Sequence, residues 1–259
     1  MSSWIIAKNK ILKKKPSVTK FHDTSSTPDI ITMYLNYIGA YVYSQKMGEM
    51  CNVWDPSGLI KTTLRQNPQV KLLKEKPEDL EPLNTREYKN IVSAMSLKDI
   101  QKYASAVMVY DIGLNESVIQ YLKRGGINNI FDIAIHITKD PAGPDVILMK
   151  KYVSLIREYQ KKIKKELLNI YVFSDNYTTV SQFQGYCDSS WKITSLTKNP
   201  PKDIDDIIKN LAEIQIMVSV PALILDFNRH IDRFIYLMRR NLKLNYFVEL
   251  NSKEWVLLE

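Results

Sequence analysis

A chain of 259 residues, 45% hydrophobic and 25% charged, has ordinary globular composition and enough length to bury a real core, which argues against a largely disordered or fibrous protein. Two cysteines, Cys51 and Cys187, stand far apart without partners at metal-ligand spacing, so neither a disulfide framework nor a cysteine metal site is expected, and a reducing compartment fits. The formal net charge of +8 raises affinity for phosphates, nucleic acid or anionic surfaces without choosing among them, and a solvated basic surface is the plainer explanation.

Residues 1–28 are polar, basic and rich in Ser and Thr, and read as an arm or as a first strand with a loop. They lack the order of a signal peptide, and the apolar stretch at residues 30–42 is interrupted by Asn36 and too short to span a bilayer. A cytoplasmic protein with no membrane span is the expectation. Residues 30–47 carry apolar side chains at helical spacing (Ile31, Tyr34, Leu35, Ile38, Tyr41, Val42), with Thr27-Pro28 as the start signal. A strand follows at residues 50–54, closed by the turn Asp55-Pro56-Ser57-Gly58. A short helix is expected from residue 60 and a strand at 70–73. Helices are expected at residues 96–110, where Ser96 is a cap with Asp99 three positions on, and at 116–123, stopping at Gly125-Gly126.

The pattern then changes. Residues 131–137 form an apolar run of strand length, suited to burial on both faces of a parallel sheet. A helix is expected at 145–168, with a basic face at residues 161–165, then strands at 170–173, 191–196 and 222–225. Helices at 178–186, 203–218 and 229–240 alternate with them, and residues 246–250 form a last extended piece. Such alternation predicts a parallel, Rossmann-like sheet in a second half beginning after residue 126.

In an open parallel sheet, ligands bind beyond the carboxyl ends of the strands. That rule selects His136, Thr138, Lys139 and Asp140, then Ser174, Asp175 and Asn176, then Asp226, Asn228 and Arg229. Cations beside helix starts favour a phosphate, so a nucleotide or nucleotide sugar is the expected ligand. The plainer alternatives make His136 a satisfied core histidine and Asp175 a helix cap. There is no dinucleotide fingerprint, P-loop or nucleophile elbow, and no cluster that would hold a metal.

Several segments together resemble the superfamily of α-1,6-fucosyltransferases, nodulation fucosyltransferases and protein O-fucosyltransferases. Phe131-Asp132-Ile133-Ala134-Ile135-His136-Ile137-Thr138-Lys139-Asp140 resembles its first motif, an apolar strand ending His-x-Arg-Arg-x-Asp. The run from Leu168 to Asn176 resembles the second, and Glu213 with the segment from Leu223 to Tyr236 resembles the third, a carboxylate-bearing helix leading to a strand and an Arg-x-x-Tyr helix. Residues 39–60 resemble the family's first helix and strand. The resemblance implies an α/β, GT-B-like fold of two Rossmann-type domains with parallel sheets. Residues 1–126 would form the acceptor side and residues 127–259 the nucleotide-sugar side.

It further implies a donor of GDP-fucose type, a glycan or glycoprotein acceptor, and no metal or other cofactor. Lys139 and Arg229 would be the catalytic cations on the diphosphate. His136, Thr138, Asp140, Asp175, Glu213, Asn228 and Arg233 would surround the donor. The chain departs from the pattern where charge matters most. Thr138-Lys139 replaces Arg-Arg, and a lysine supplies a point charge but no bidentate fork. Asn228-Arg229 replaces Ser-Ser, and Thr27-Pro28-Asp29 stands where a Gly-rich loop is usual. Two readings follow: an active transferase, or an inactive relative that binds glycan, nucleotide or a partner. A third, an unrelated basic α/β protein on nucleic acid, is not favoured.

Overall fold

The computed structural model describes residues 20–23, 29–82, 96–127, 130–137, 146–198, 205–225, 230–239, 246–249 and 256–257. In the first half, β1 (Lys20–Asp23) is followed by α1 (Ile30–Met47), β2 (Cys51–Trp54), α2 (Leu59–Thr63), β3 (Val70–Leu73) and β4 (Glu81–Pro82). These strands form one sheet in the order β3-β2-β1-β4, every pairing parallel. So the N-terminal segment does contribute a first strand. Helix α1 has the bounds expected from its apolar spacing, but its cap is Asp29, whose carboxylate accepts from Thr32 N at 2.8 Å. It ends at Gly48, where φ is 70° and the amide of Glu49 donates back to Ser44 O. The two-residue β4 carries no periodicity and was not expected.

Two helices, α3 (Leu97–Val107) and α4 (Ile112–Arg124), lead to the second half. Ser96 caps the first as expected, its hydroxyl accepting from Asp99 N. Helix α4 starts four residues before the expected position because Asp111 caps it through Gly113 N. Between the helices the chain is held against the first half, where Tyr110 bridges Leu64 and Asp111 N donates to Thr63 O at 3.0 Å.

The second half runs β5 (Ile133–His136), α5 (Val146–Ile163), β6 (Leu168–Phe173), α6 (Tyr177–Gln184), β7 (Trp191–Thr194), a short 3-10 turn, α7 (Asp206–Ser219), β8 (Ala222–Leu225), α8 (His230–Met238), β9 (Tyr246–Glu249) and β10 (Val256–Leu257). Its six strands lie in the order β10-β9-β8-β5-β6-β7. All pairings are parallel except β10 on β9, so the expectation of wholly parallel sheets is corrected at that edge. The helix expected through residue 168 stops at Ile163: Lys164 turns to φ 53°, and the amide of Gln160 donates to Glu166 O, releasing Leu168 into β6.

The strands explain why both faces of this sheet are dry. Ile133, Ile135, Ile170, Val172 and Ile224 face a core under α5 and α6, with Tyr152, Ile156 and Phe183. Ala134, Tyr171, Leu223 and Leu225 face the other way, into a core that continues through α7 and α8 to Tyr34 and Ile38 of α1. Side chains of a strand alternate between faces, so an uninterrupted apolar run needs both cores. Each fully buried Ile, Leu or Val contributes about 1.5–3 kcal/mol. Helix α8 packs on α1 and α3, which joins the two halves through continuous apolar contact.

Candidate functional site

The chain lays down β5, β6 and β7 in one direction, then crosses back to place β8 and β9 on the other side of β5. The order reverses between β5 and β8, and the crevice beyond their carboxyl ends is where an open α/β sheet holds a ligand. The carboxyl end of β5 is His136, and helix α8 follows β8.

His136 is buried, at 6% exposure, and its Nδ1 lies 2.6 Å from Oδ1 of Asp232, which is wholly buried on α8. A carboxylate accepts, so the ring donates from Nδ1, and the pair fixes the orientation of the imidazole. The ring stacks on Phe173 at the end of β6, centroids 4.5 Å apart. Tyr152 Oη donates to the His136 carbonyl at 2.6 Å. The strand end is therefore fixed from three neighbouring elements, and β5 is tied to the first turn of α8.

The start of α8 also reaches the first half. Thr32 Oγ1 donates to Asp29 Oδ2 at 2.8 Å, and His230 Nδ1 lies 2.8 Å from the same hydroxyl oxygen. With the hydroxyl proton given to Asp29, the imidazole Nδ1–H is the donor to Thr32. Helix α1 follows β1 and helix α8 follows β8, so this contact brings the carboxyl-end sides of the two sheets face to face.

Asp175 is exposed in the turn after β6. It does not cap α6, because Asn176 does so, accepting from Thr178 N at 2.8 Å. The neighbouring Ser174 is buried, with its carbonyl accepting from Thr197 Oγ1 at 2.7 Å. Arg233 is exposed on α8. Glu213 has a different setting. It is wholly buried on α7, accepts a hydrogen bond from Tyr171 Oη, and burial pushes its carboxyl up to about 8. The same burial, with the adjacent carboxyl, holds Tyr171 well above the usual phenol range. The structure therefore sets Glu213 inside the core, two residues along β6 from its end, and not at the crevice surface. Lys139, Arg229, Thr138, Asp140 and Asn228 lie outside the described residues. In sequence they directly follow β5 and β8, the strands that flank the reversal.

Two groups were missed in the sequence. Asp232 is the first, and its signal in the sequence is a carboxylate in register with the apolar Ile235 on an amphipathic helix. Arg239 is buried, and its guanidinium donates to the carbonyls of Met217, Val220 and Pro221, closing the end of α7. Burial lowers it to about 10, so it stays charged at neutral pH. Among the described residues no three His, Cys, Asp or Glu side chains gather where a metal could bind, and no helix is long and apolar enough to cross a membrane.

Two facing α/β sheets, the second with this strand order, define a GT-B-like fold of fucosyltransferase type. The structure is similar to the crystal structure of the fucosyltransferase NodZ from Bradyrhizobium, with a TM-score of 0.60 at 8% identity over 93% of this chain and 99% of that one. It is equally similar to NodZ α-1,6-fucosyltransferase soaked with GDP-fucose (TM-score 0.60, 8% identity, 92% and 98% covered). The form co-crystallised with GDP gives a TM-score of 0.54 at 9% identity, over 92% and 97%. No family model and no curated protein matches the sequence.

Proposed function

We propose that the protein is a glycosyltransferase of fucosyltransferase type, which moves a sugar from a nucleotide-sugar donor such as GDP-fucose to a hydroxyl of a glycan or protein. The observation that carries this reading is the strand reversal between β5 and β8, facing the first half across the Thr32–His230 contact. Residues 127–259 hold the donor on this reading and residues 1–126 the acceptor, in the cytoplasm. The acceptor oxygen bonds to the anomeric carbon as that carbon's bond to the diphosphate breaks, and the hydroxyl proton passes to the departing phosphate oxygen or to water. Charge develops on the departing diphosphate, and Lys139 and Arg229 are the cations placed by sequence to meet it. His136, held by Asp232, offers the nucleotide a ring of fixed orientation, and exposed Asp175 is free to accept from a sugar or ribose hydroxyl.

Two observations favour a second reading, an inactive relative that retains ligand binding. His136 is nearly closed off, and Glu213 is spent on Tyr171 in the core. Release of GDP from GDP-fucose over time, with and without candidate glycan acceptors, separates the two. Turnover that disappears in Lys139→Ala and Arg229→Ala supports transfer. Bound donor that stays intact supports the second reading.

A further inference from the structure

A cavity of about 610 Å³ opens along β3 at the edge of the first sheet, with Asp55 after β2, Asn67 before β3 and Lys74 after it in its lining. All of its lining falls between Tyr37 and Lys74, so no residue of β5, β8 or the helices that follow them lines it. Its floor is apolar: Tyr37, Ile60, Leu64 and Val70 line it and are buried beneath the surface. Its rim is cationic, with exposed Lys61, Arg65 and Lys74. None of these three side chains forms an ion pair among the described residues. The lining has a single carboxylate, Asp55, which is turned back to its own loop, accepting from Ser57 Oγ at 2.6 Å and Ile60 N at 2.7 Å.

The rim is built on a fixed backbone. Arg65 N donates to Val109 O at 2.8 Å, and Asn67 Nδ2 donates to Ala106 O at 3.0 Å, so the strip from Arg65 to Asn67 is stapled to the α3–α4 connection. Tyr41 Oη donates to Gln69 Oε1 just beyond. Cations carried on a preformed wall lose less freedom on binding than cations on a loose loop. The volume lies within the usual range for small-ligand sites, roughly 300–1,000 Å³. An apolar floor under a cationic rim is covered only by a ligand with both parts: inorganic phosphate leaves the floor wet, and a neutral molecule leaves the rim unanswered.

We propose that this cavity binds a small organic anion, a phosphate monoester or carboxylate on a body with an apolar face, held by Lys61, Arg65 and Lys74 over Ile60 and Leu64. The lining belongs wholly to the first half, so the proposal stands if no donor binds at the β5–β8 crevice.

The test is an amide NMR titration of the full chain with phenyl phosphate, benzoate, inorganic phosphate and neutral phenyl glucoside. Saturable shifts at residues 60–74 are expected for one or both organic anions, and the stronger of the two identifies the head group. Inorganic phosphate and phenyl glucoside should bind at least tenfold more weakly. Lys61→Gln with Arg65→Gln, two exposed positions, should cut affinity about tenfold or more without altering shifts elsewhere. The proposal is overturned if inorganic phosphate binds as well as phenyl phosphate, if the neutral ligand binds as well as the anions, if the double variant binds unchanged, or if none of the four shifts these residues. GDP added to the saturated protein reports separately on the other crevice.

Discussion

His136 Nδ1 and Asp232 Oδ1 lie 2.6 Å apart with 96 positions of chain between them, both buried, joining the end of β5 to α8 beside the strand reversal. Asp232→Ala leaves a buried imidazole N–H without its acceptor, which costs about 1–3 kcal/mol. Asp232→Asn keeps an acceptor oxygen and should cost less. Urea midpoints of the two variants check this, and equal losses would show that the hydrogen bond is not what Asp232 supplies.

Two buried titratable groups set opposite slopes of stability against pH. Glu213, raised from 4.5 to about 8 by burial, keeps a proton in the fold that the unfolded chain gives up. Its contribution is therefore complete below about pH 4.5 and gone by about pH 8. His22, lowered from 6.5 to about 4 by burial, stays neutral in the fold while the unfolded chain takes up a proton, so its contribution is present above 6.5 and lost toward 4. Between 4.5 and 6.5 the slopes nearly cancel. Above 6.5 the His22 contribution is complete, and Glu213 makes stability fall as the pH rises toward 8. Urea titrations should show lower stability at pH 8 than at pH 6.5, by about 1 kcal/mol, a difference that Glu213→Gln removes.

Helix α1 tests how much one glycine matters to the join between the halves. Gly48 ends it at φ 70°, a conformation that strains any side chain with a Cβ. Gly48→Ala should lower stability by about 1 kcal/mol, and Gly48→Asn by less, in thermal unfolding. Open space surrounds the site, with nothing within 4 Å of an added Cβ, so a larger loss would contradict a purely conformational cause.

The sequence disclosed those parts of the fold that local chemistry dictates. β5, β6 and β8 are apolar on both faces because each lies between two cores, and such runs stand out. Helix α1 was legible for the same reason, with Tyr34, Ile38 and Tyr41 on the spacing that burial demands. Strands β4 and β10, each two residues long, have no period to detect and exist only through their pairing with β1 and β9. The site divides in the same way. Strand ends and their polar residues could be picked out by position alone, which placed His136 at the end of β5 and Asp175 in the turn after β6. The commitment of His136 to Asp232, and of Glu213 to Tyr171, depends on contacts across 96 and 42 positions. No local pattern encodes such pairings, although the inward register of Asp232 on α8 hinted at the first.

The proposed transfer requires the β5–β8 crevice to bind a nucleoside-diphosphate sugar. Calorimetric titration with GDP and GDP-fucose, with UDP-glucose as the control, tests it most directly. The account predicts saturable binding of both guanosine ligands, weakened at least tenfold in Lys139→Ala or Arg229→Ala, because each removes a cation from the diphosphate. No heat from any nucleotide at millimolar concentration, with the fold intact by circular dichroism, would contradict it.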